Sequence, residues 1–87
     1  MAYTVLVVPA ALRQLQKLEA GIQRKIRSAI DALAETPRPT SCKKLSATES
    51  AYRIRVGDYR VLYEITDRQL IVLVVRVAHR RESYRSR

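Results

Sequence analysis

The stretch Tyr52-Arg53-Ile54-Arg55-Val56-Gly57-Asp58-Tyr59-Arg60-Val61-Leu62-Tyr63-Glu64-Ile65 decides how this chain folds. Side chains of a strand point alternately to two faces. Tyr52, Ile54 and Val56 therefore share one face, and Arg53 and Arg55 share the other. Gly57-Asp58, set between two alternating runs, reads as a two-residue hairpin turn, with glycine suited to the first central position of a type II′ turn. That loop length puts Val56 opposite Tyr59, Arg55 opposite Arg60 and Arg53 opposite Leu62. The hairpin then has one apolar face and one face on which three arginines converge as exposed cations.

Like charges placed directly opposite each other cost about 0.2–1 kcal/mol relative to neutral pairs. A sequence shaped for stability alone would place Glu or Thr at one of these positions. The repulsion turns into binding when a phosphate lies between the guanidinium groups, whose planar forks suit bidentate contacts. The residues on the other face have plainer readings. Tyr59 and Tyr63 follow the apolar alternation and belong to the core, and Tyr52 is either core or a base-stacking group. Glu64 falls on the arginine face, where it balances an arginine, and Asp58 serves the turn.

Upstream, residues 2–8 form a strand-like run, and it reads as a strand rather than a signal peptide. Pro9 opens a helix, since its missing N–H is not needed there, and Leu12, Leu15 and Leu18 give that helix an apolar stripe. Gly21 is expected in a turn between two helices. Ile22, Ile26, Ala29, Ile30 and Leu33 recur at helical spacing, and Thr36-Pro37-Arg38-Pro39 ends that second helix. Lys43-Lys44-Leu45 reads as a short extended segment. Beyond the hairpin, Thr66-Asp67-Arg68-Gln69 turns the chain. Leu70 to Val77 is nearly all apolar, as in a central strand covered on both faces. From His79 onward the sequence is polar and basic. The order strand, helix, helix, then a three-stranded meander predicts one α+β domain over residues 1–87. It has two layers, with two N-terminal helices packed on one face of an antiparallel sheet.

Composition bounds the function. At 87 residues the chain can hold one core, and no apolar run reaches the roughly 20 residues of a membrane helix. The chain has one cysteine, Cys42, and one histidine, His79, too few for an internal disulfide or a zinc site. The expectation is a cytoplasmic protein, independent of metal and cofactor, with no membrane partner. Lys and Arg total 17 against 8 acids, a net charge of +9, which points to a polyanionic partner. All nine basic residues after Ala51 are arginines, and some lie inside strands, unlike a merely solubilising surface.

The hairpin, the Pro37-Arg38-Pro39 and Lys43-Lys44-Leu45 segments before it, and His79-Arg80-Arg81-Glu82-Ser83-Tyr84 after it resemble, in this order and spacing, the RelE/ParE superfamily of small toxins. The closer likeness is to its RelE-type branch, and it covers nearly the whole chain. The resemblance implies a toxin of a type II toxin–antitoxin system. Such a toxin enters the A site of the 70S ribosome and cleaves mRNA by attack of a 2′-hydroxyl on the adjacent phosphate, and so stops translation. It implies roles for Arg53, Arg55, Arg60, Arg80 and Tyr84, and a cognate antitoxin that covers them and through which alone operator DNA is contacted. Where some members carry lysines on the hairpin, this chain has Arg53 and Arg55, which are always protonated and make poor bases. Proton transfer is left to Tyr84, which needs cationic neighbours such as Arg80, Arg81 and Arg85, and to His79, which titrates near neutrality. A lone histidine at a strand end also serves structural roles. Two other readings remain: a ParE-like inhibitor of DNA gyrase, and a non-catalytic module that binds RNA or antitoxin.

Overall fold

The computed structural model describes residues 2–45, 50–79 and 81. Strand β1 (Thr4–Val7) leads into helices α1 (Pro9–Gln16) and α2 (Ala20–Ala32), and strands β2 (Lys43–Lys44), β3 (Ala51–Val56), β4 (Tyr59–Thr66) and β5 (Ile71–His79) follow. The strands form one sheet in the order β1-β5-β4-β3-β2. The α+β architecture expected from the sequence is present, and the sheet is antiparallel except at one edge, where β1 runs parallel to β5 from Thr4↔Ile71 to Val7↔Val74.

The two helices cover one face of the sheet. Ala11 and Leu15 of α1, Ile26 and Ile30 of α2, and Leu33 just beyond it are buried, and they pack with Ile54, Val61, Tyr63, Ile65, Val72 and Val74 of the sheet. Burial of each large aliphatic side chain contributes about 1.5–3 kcal/mol. The turn between the helices falls at residues 17–19, and Gly21 lies inside α2 rather than in the turn. The reason is a side chain. Gln23 Nε2 donates to the carbonyls of Leu18 (2.8 Å) and Gln16 (3.4 Å), and Leu18 N donates to the Leu15 carbonyl (3.1 Å). The Leu15 and Gln16 carbonyls at the end of α1 are satisfied without a glycine.

Because β1 stops at Val7, the second half of β5 has no strand beside it on that side. Helix α1 takes the place: Gln14 Oε1 accepts a hydrogen bond from Val77 N at 2.8 Å. On its other side β5 pairs with β4, and here the ladder is irregular. Leu62 pairs with Arg76 and Tyr63 with Val74, which leaves Val75 as the extra residue of a β-bulge. Along β5 the phase therefore changes once. Val72 and Val74 face the helices with Tyr63, and beyond the bulge Val77 and His79 do so with Val61 and Tyr59, while Arg76 and Ala78 fall on the open face. The expectation that this strand is covered on both faces fails in part, since Ile71 and Leu73 on the open face are only half-buried, beside the exposed Leu6 of β1.

The β3–β4 hairpin has the register expected: Val56↔Tyr59, Arg55↔Arg60 and Arg53↔Leu62. Gly57 has φ 59, and Asp58 is not among the residues of positive φ, which is the pattern of a type II′ turn. Leu70 is the one described non-glycine residue in the left-handed region, with φ 56. Its carbonyl accepts from Thr4 N at 2.7 Å, so the strained turn sets the start of the parallel pairing.

Candidate nucleic-acid interface

On the open face the register arranges the cations in two neighbouring rungs. One rung runs across four strands as Lys43, Arg53, Leu62 and Arg76. The next runs across three as Arg55, Arg60 and Ala78. Arg60 is the centre of the group: Arg55 stands directly opposite, and Arg53 and Arg76 are its diagonal neighbours, a relation of about 7–8 Å in an antiparallel sheet. Arg60 is not the exposed cation expected from alternation. It is 3% exposed, on the middle strand β4, between Arg55 and Ala78. Arg55 is exposed and Arg53 and Arg76 are part-exposed, so the rim of the cluster is open while its centre is dry. Arginine charge held in such a place acts through a lower dielectric than in water and is worth more against an anion.

His79 is not part of this group. The bulge turns it to the helix side, where its ring meets Tyr59 edge-on at 5.2 Å between centroids. It lines a cleft of about 430 Å³ with Gln14, Lys17, Leu18, Tyr59 and Val77, and its Nδ1 accepts from Arg81 N at 3.2 Å. Arg80 and Tyr84 lie outside the described residues. Glu64 sits between Ala51 and Leu73, and among the described residues it forms no ion pair with an arginine. Among the described residues no three His, Cys, Asp or Glu side chains stand together as metal ligands do, and no helix is long and apolar enough to cross a membrane.

Alternation alone misses Lys43 and Arg76. Lys43 joins the cluster because the short β2 pairs it with Arg53. Arg76 joins because of the bulge; a single phase through Val72 and Val74 would have put it in the core. The one sequence signal for it is a lone charge interrupting an apolar run.

A different arginine site lies at the corner where the loop after α2 meets the β4–β5 turn. Arg38 pairs with Asp67 (Nη2 to Oδ2, 2.8 Å), donates from Nε to the Tyr52 hydroxyl (3.0 Å), and stacks its guanidinium 5.1 Å from the Tyr52 ring centre. Tyr3 donates to Asp67 Oδ1 at 2.6 Å. Hydrogen bonds from Arg38 and Tyr3 hold the Asp67 carboxyl below the usual aspartate range, and the bond to Asp67 raises the Tyr3 phenol above its own. Tyr52 stacks on Tyr63 at 6.0 Å, and Tyr63 donates to the Pro37 carbonyl at 2.8 Å. Burial, and then the neighbouring Cys42 thiol, push the Tyr63 phenol well above its ordinary range, so it remains a donor. Both tyrosines belong to the core, as expected of Tyr63 and as one of the two readings of Tyr52 had it.

The profile of a protein family, the ParE toxin of type II toxin-antitoxin system, parDE, matches residues 5–84. The chain belongs to this family of toxins. Relatives agree. A putative RelE-like toxin protein of Escherichia coli is 33% identical over 95% of this chain and 88% of its own length. Toxin RelG of Mycobacterium tuberculosis is 37% identical over 98% of this chain and 99% of its own. The toxin is also 27% identical to the mRNA interferase toxin RelE of Escherichia coli, over 95% of this chain and 88% of that one. Among solved structures, the archaeal RelE–RelB complex from Pyrococcus horikoshii OT3 contains a chain that superposes with a TM-score of 0.83 at 28% identity, covering 92% of this toxin and 97% of that chain. The intact RelBE toxin–antitoxin complex of Escherichia coli superposes with a TM-score of 0.79 at 25% identity, covering 90% and 96%. The protein is thus a RelE-like toxin of the RelE/ParE superfamily, and the arginine face lies on a sheet of that fold.

Proposed function

We propose that this toxin is a ribosome-dependent endoribonuclease that cleaves mRNA in the ribosomal A site. The observation that carries the reading is the pair of arginine rungs centred on the buried Arg60, and relatives named mRNA interferase support it. In the reaction a 2′-oxygen bonds to the adjacent phosphorus, the bond from phosphorus to the 5′-oxygen breaks, and the 2′-hydroxyl proton ends on the departing 5′-oxygen. The products are a 2′,3′-cyclic phosphate and a 5′-hydroxyl. Arg55 and Arg60 stabilise the charge that grows on the attacked phosphate, and Arg53 and Arg80 add to that field. No metal or cofactor is required in this scheme.

Tyr84 is the candidate for moving the proton. His79, packed against Tyr59 on the helix side, is the weaker of the two. The open sheet is shallow, so the ribosome positions the RNA. In its resting state the toxin is bound by a cognate antitoxin whose acidic groups cover the arginines, and operator DNA is met only through that antitoxin. Both partners place the action in the cytoplasm.

Primer extension on a message translated in an extract with added toxin tests the proposal. The expected result is cleavage at discrete sites within codons, with naked RNA of the same sequence left intact at physiological salt. The family profile is that of the ParE toxin, which favours gyrase inhibition as the second reading. Loss of gyrase supercoiling without message cleavage would establish that reading instead.

A further inference from the structure

The arginine face holds more charge than one phosphate needs, and its layout is regular. The two rungs are two residues apart along the strands, a step of about 6–7 Å at the usual rise of a strand. That step is close to one nucleotide of an extended single strand. Each rung pairs cations with one small or apolar side chain, Ala78 beside Arg55 and Arg60, and Leu62 between Arg53 and Arg76. Leu62, part-exposed, offers an apolar surface against which a ribose can lie while the cations on either side reach its two phosphates.

Arg76 is the unexplained member of this layout. A bulge is spent on bringing it to the open face. Once there its Nε is buried, and among the described residues nothing hydrogen-bonds it. A buried guanidinium nitrogen without a partner costs stability, and the cost is recovered when an anion arrives.

We propose that Arg76, with Arg53 and Lys43, forms a second phosphate subsite, which grips the phosphate next to the one held by Arg55 and Arg60. The proposal rests on the reading of the toxin as an RNA-binding nuclease. It assigns Arg76 a positioning role: by fixing the neighbouring phosphate it sets which phosphate falls between Arg55 and Arg60.

The test uses uncleavable oligonucleotides, 2′-deoxy at the position of attack. A dinucleotide carries one phosphate and a trinucleotide two. Affinities are measured at low ionic strength by fluorescence anisotropy on the purified toxin, with melting curves as the control for folding. Arg76→Gln is expected to weaken the trinucleotide by about tenfold and to lower the slope of log affinity against log salt by about 0.7, the value for one lost contact to a single strand. The dinucleotide is expected to stay within about twofold of the unaltered toxin, since its single phosphate makes no charge-assisted bond to Arg76. Arg76→Lys, which keeps the charge, is expected to keep the salt slope.

Equal weakening of both oligonucleotides, or of neither, overturns the subsite. The nuclease reading fails separately. If the toxin cuts no message on translating ribosomes but the trinucleotide still depends on Arg76, the subsite stands and the nuclease reading falls. If the toxin cuts messages and Arg76→Gln alters neither binding nor the choice of cleavage position, the subsite falls and the nuclease reading stands.

Discussion

Arg38 and Arg76 carry the same guanidinium, and the fold surrounds them in opposite ways. At the Arg38 corner an aspartate, a tyrosine hydroxyl and an aromatic face meet the cation, and they tie the loop after α2 to the β4–β5 turn. On the open face Arg76 stands opposite Leu62, with Arg60 and Glu64 diagonal to it on β4 and Arg53 one strand further on, and it takes part in no ion pair among the described residues. One site uses arginine to join parts of the chain. The other gathers arginines side by side in the ladder, an arrangement that an anion bound from outside would favour. The contrast also separates what can be changed for stability from what can be changed for activity.

The sharpest way to break the contrast is at Arg60. Arg60→Met keeps most of the buried volume and removes the charge. Cleavage on saturating ribosomes is expected to fall on the order of 10²–10³-fold, the usual effect of losing one donor to a developing oxyanion. Circular dichroism and melting should still report a folded protein. Activity within a few-fold of the unaltered toxin would show that the rungs are not centred on the reacting phosphate.

At the paired corner the expected effect is on stability. Tyr63→Phe removes the hydroxyl that the Pro37 carbonyl accepts from, and it should lower stability by about 1–2 kcal/mol in denaturant titration. Turnover should remain close to normal. A loss of activity with no loss of stability would mean that this corner also serves the reaction.

Arg55→Thr reverses both signs. It removes the direct like-charge pair with Arg60, so stability should rise by about 0.2–1 kcal/mol while cleavage drops. A destabilised variant would show that the arginine stems pack more than their charges repel.

The smallest effect lies at Asp67, and pH brings it out. Its carboxyl is held below the ordinary value of 3.8 by the hydrogen bonds from Arg38 and Tyr3. A carboxyl depressed in the folded state contributes stability that is complete above its unfolded value and is lost as pH falls through its folded value. Melting temperature should therefore drop below pH 3.8 in the unaltered toxin, and Asp67→Asn should flatten that acid limb while leaving the arginine face untouched. Identical acid limbs would show that the exposed pair is screened to nothing.

The hairpin was readable because everything that sets it is local. Alternation assigns the faces of Tyr52 to Ile65, and Gly57-Asp58 sets the loop length and so the pairing of Arg55 with Arg60. What stayed hidden depends on partners distant in sequence. Gly21 was a poor guide to the turn because Gln23 caps α1 from within α2. The parallel pairing of β1 leaves no trace in the alternation of β5. The bulge at Val75 exchanges two residues between the faces: read in one phase, His79 joins the arginines and Arg76 joins the core, and the structure has the reverse. The burial of Arg60 is not given by the alternation either, since Leu62 and Glu64 share its strand and face and are part-exposed and exposed.

Strand β5 has a further consequence, in time rather than in space. Both β1 and β4 take it as a neighbour, and α1 binds it through Gln14 and Val77. During synthesis the first strand and first helix emerge long before the partner they need, and contacts of such sequence separation form slowly. The early part of the chain must wait, without a settled core, until Ile71–His79 has been made. Arg76, the last cation of the ladder among the described residues, arrives on the same segment that completes the fold. The arginine face is thus completed late, with the strand on which both the sheet and α1 depend.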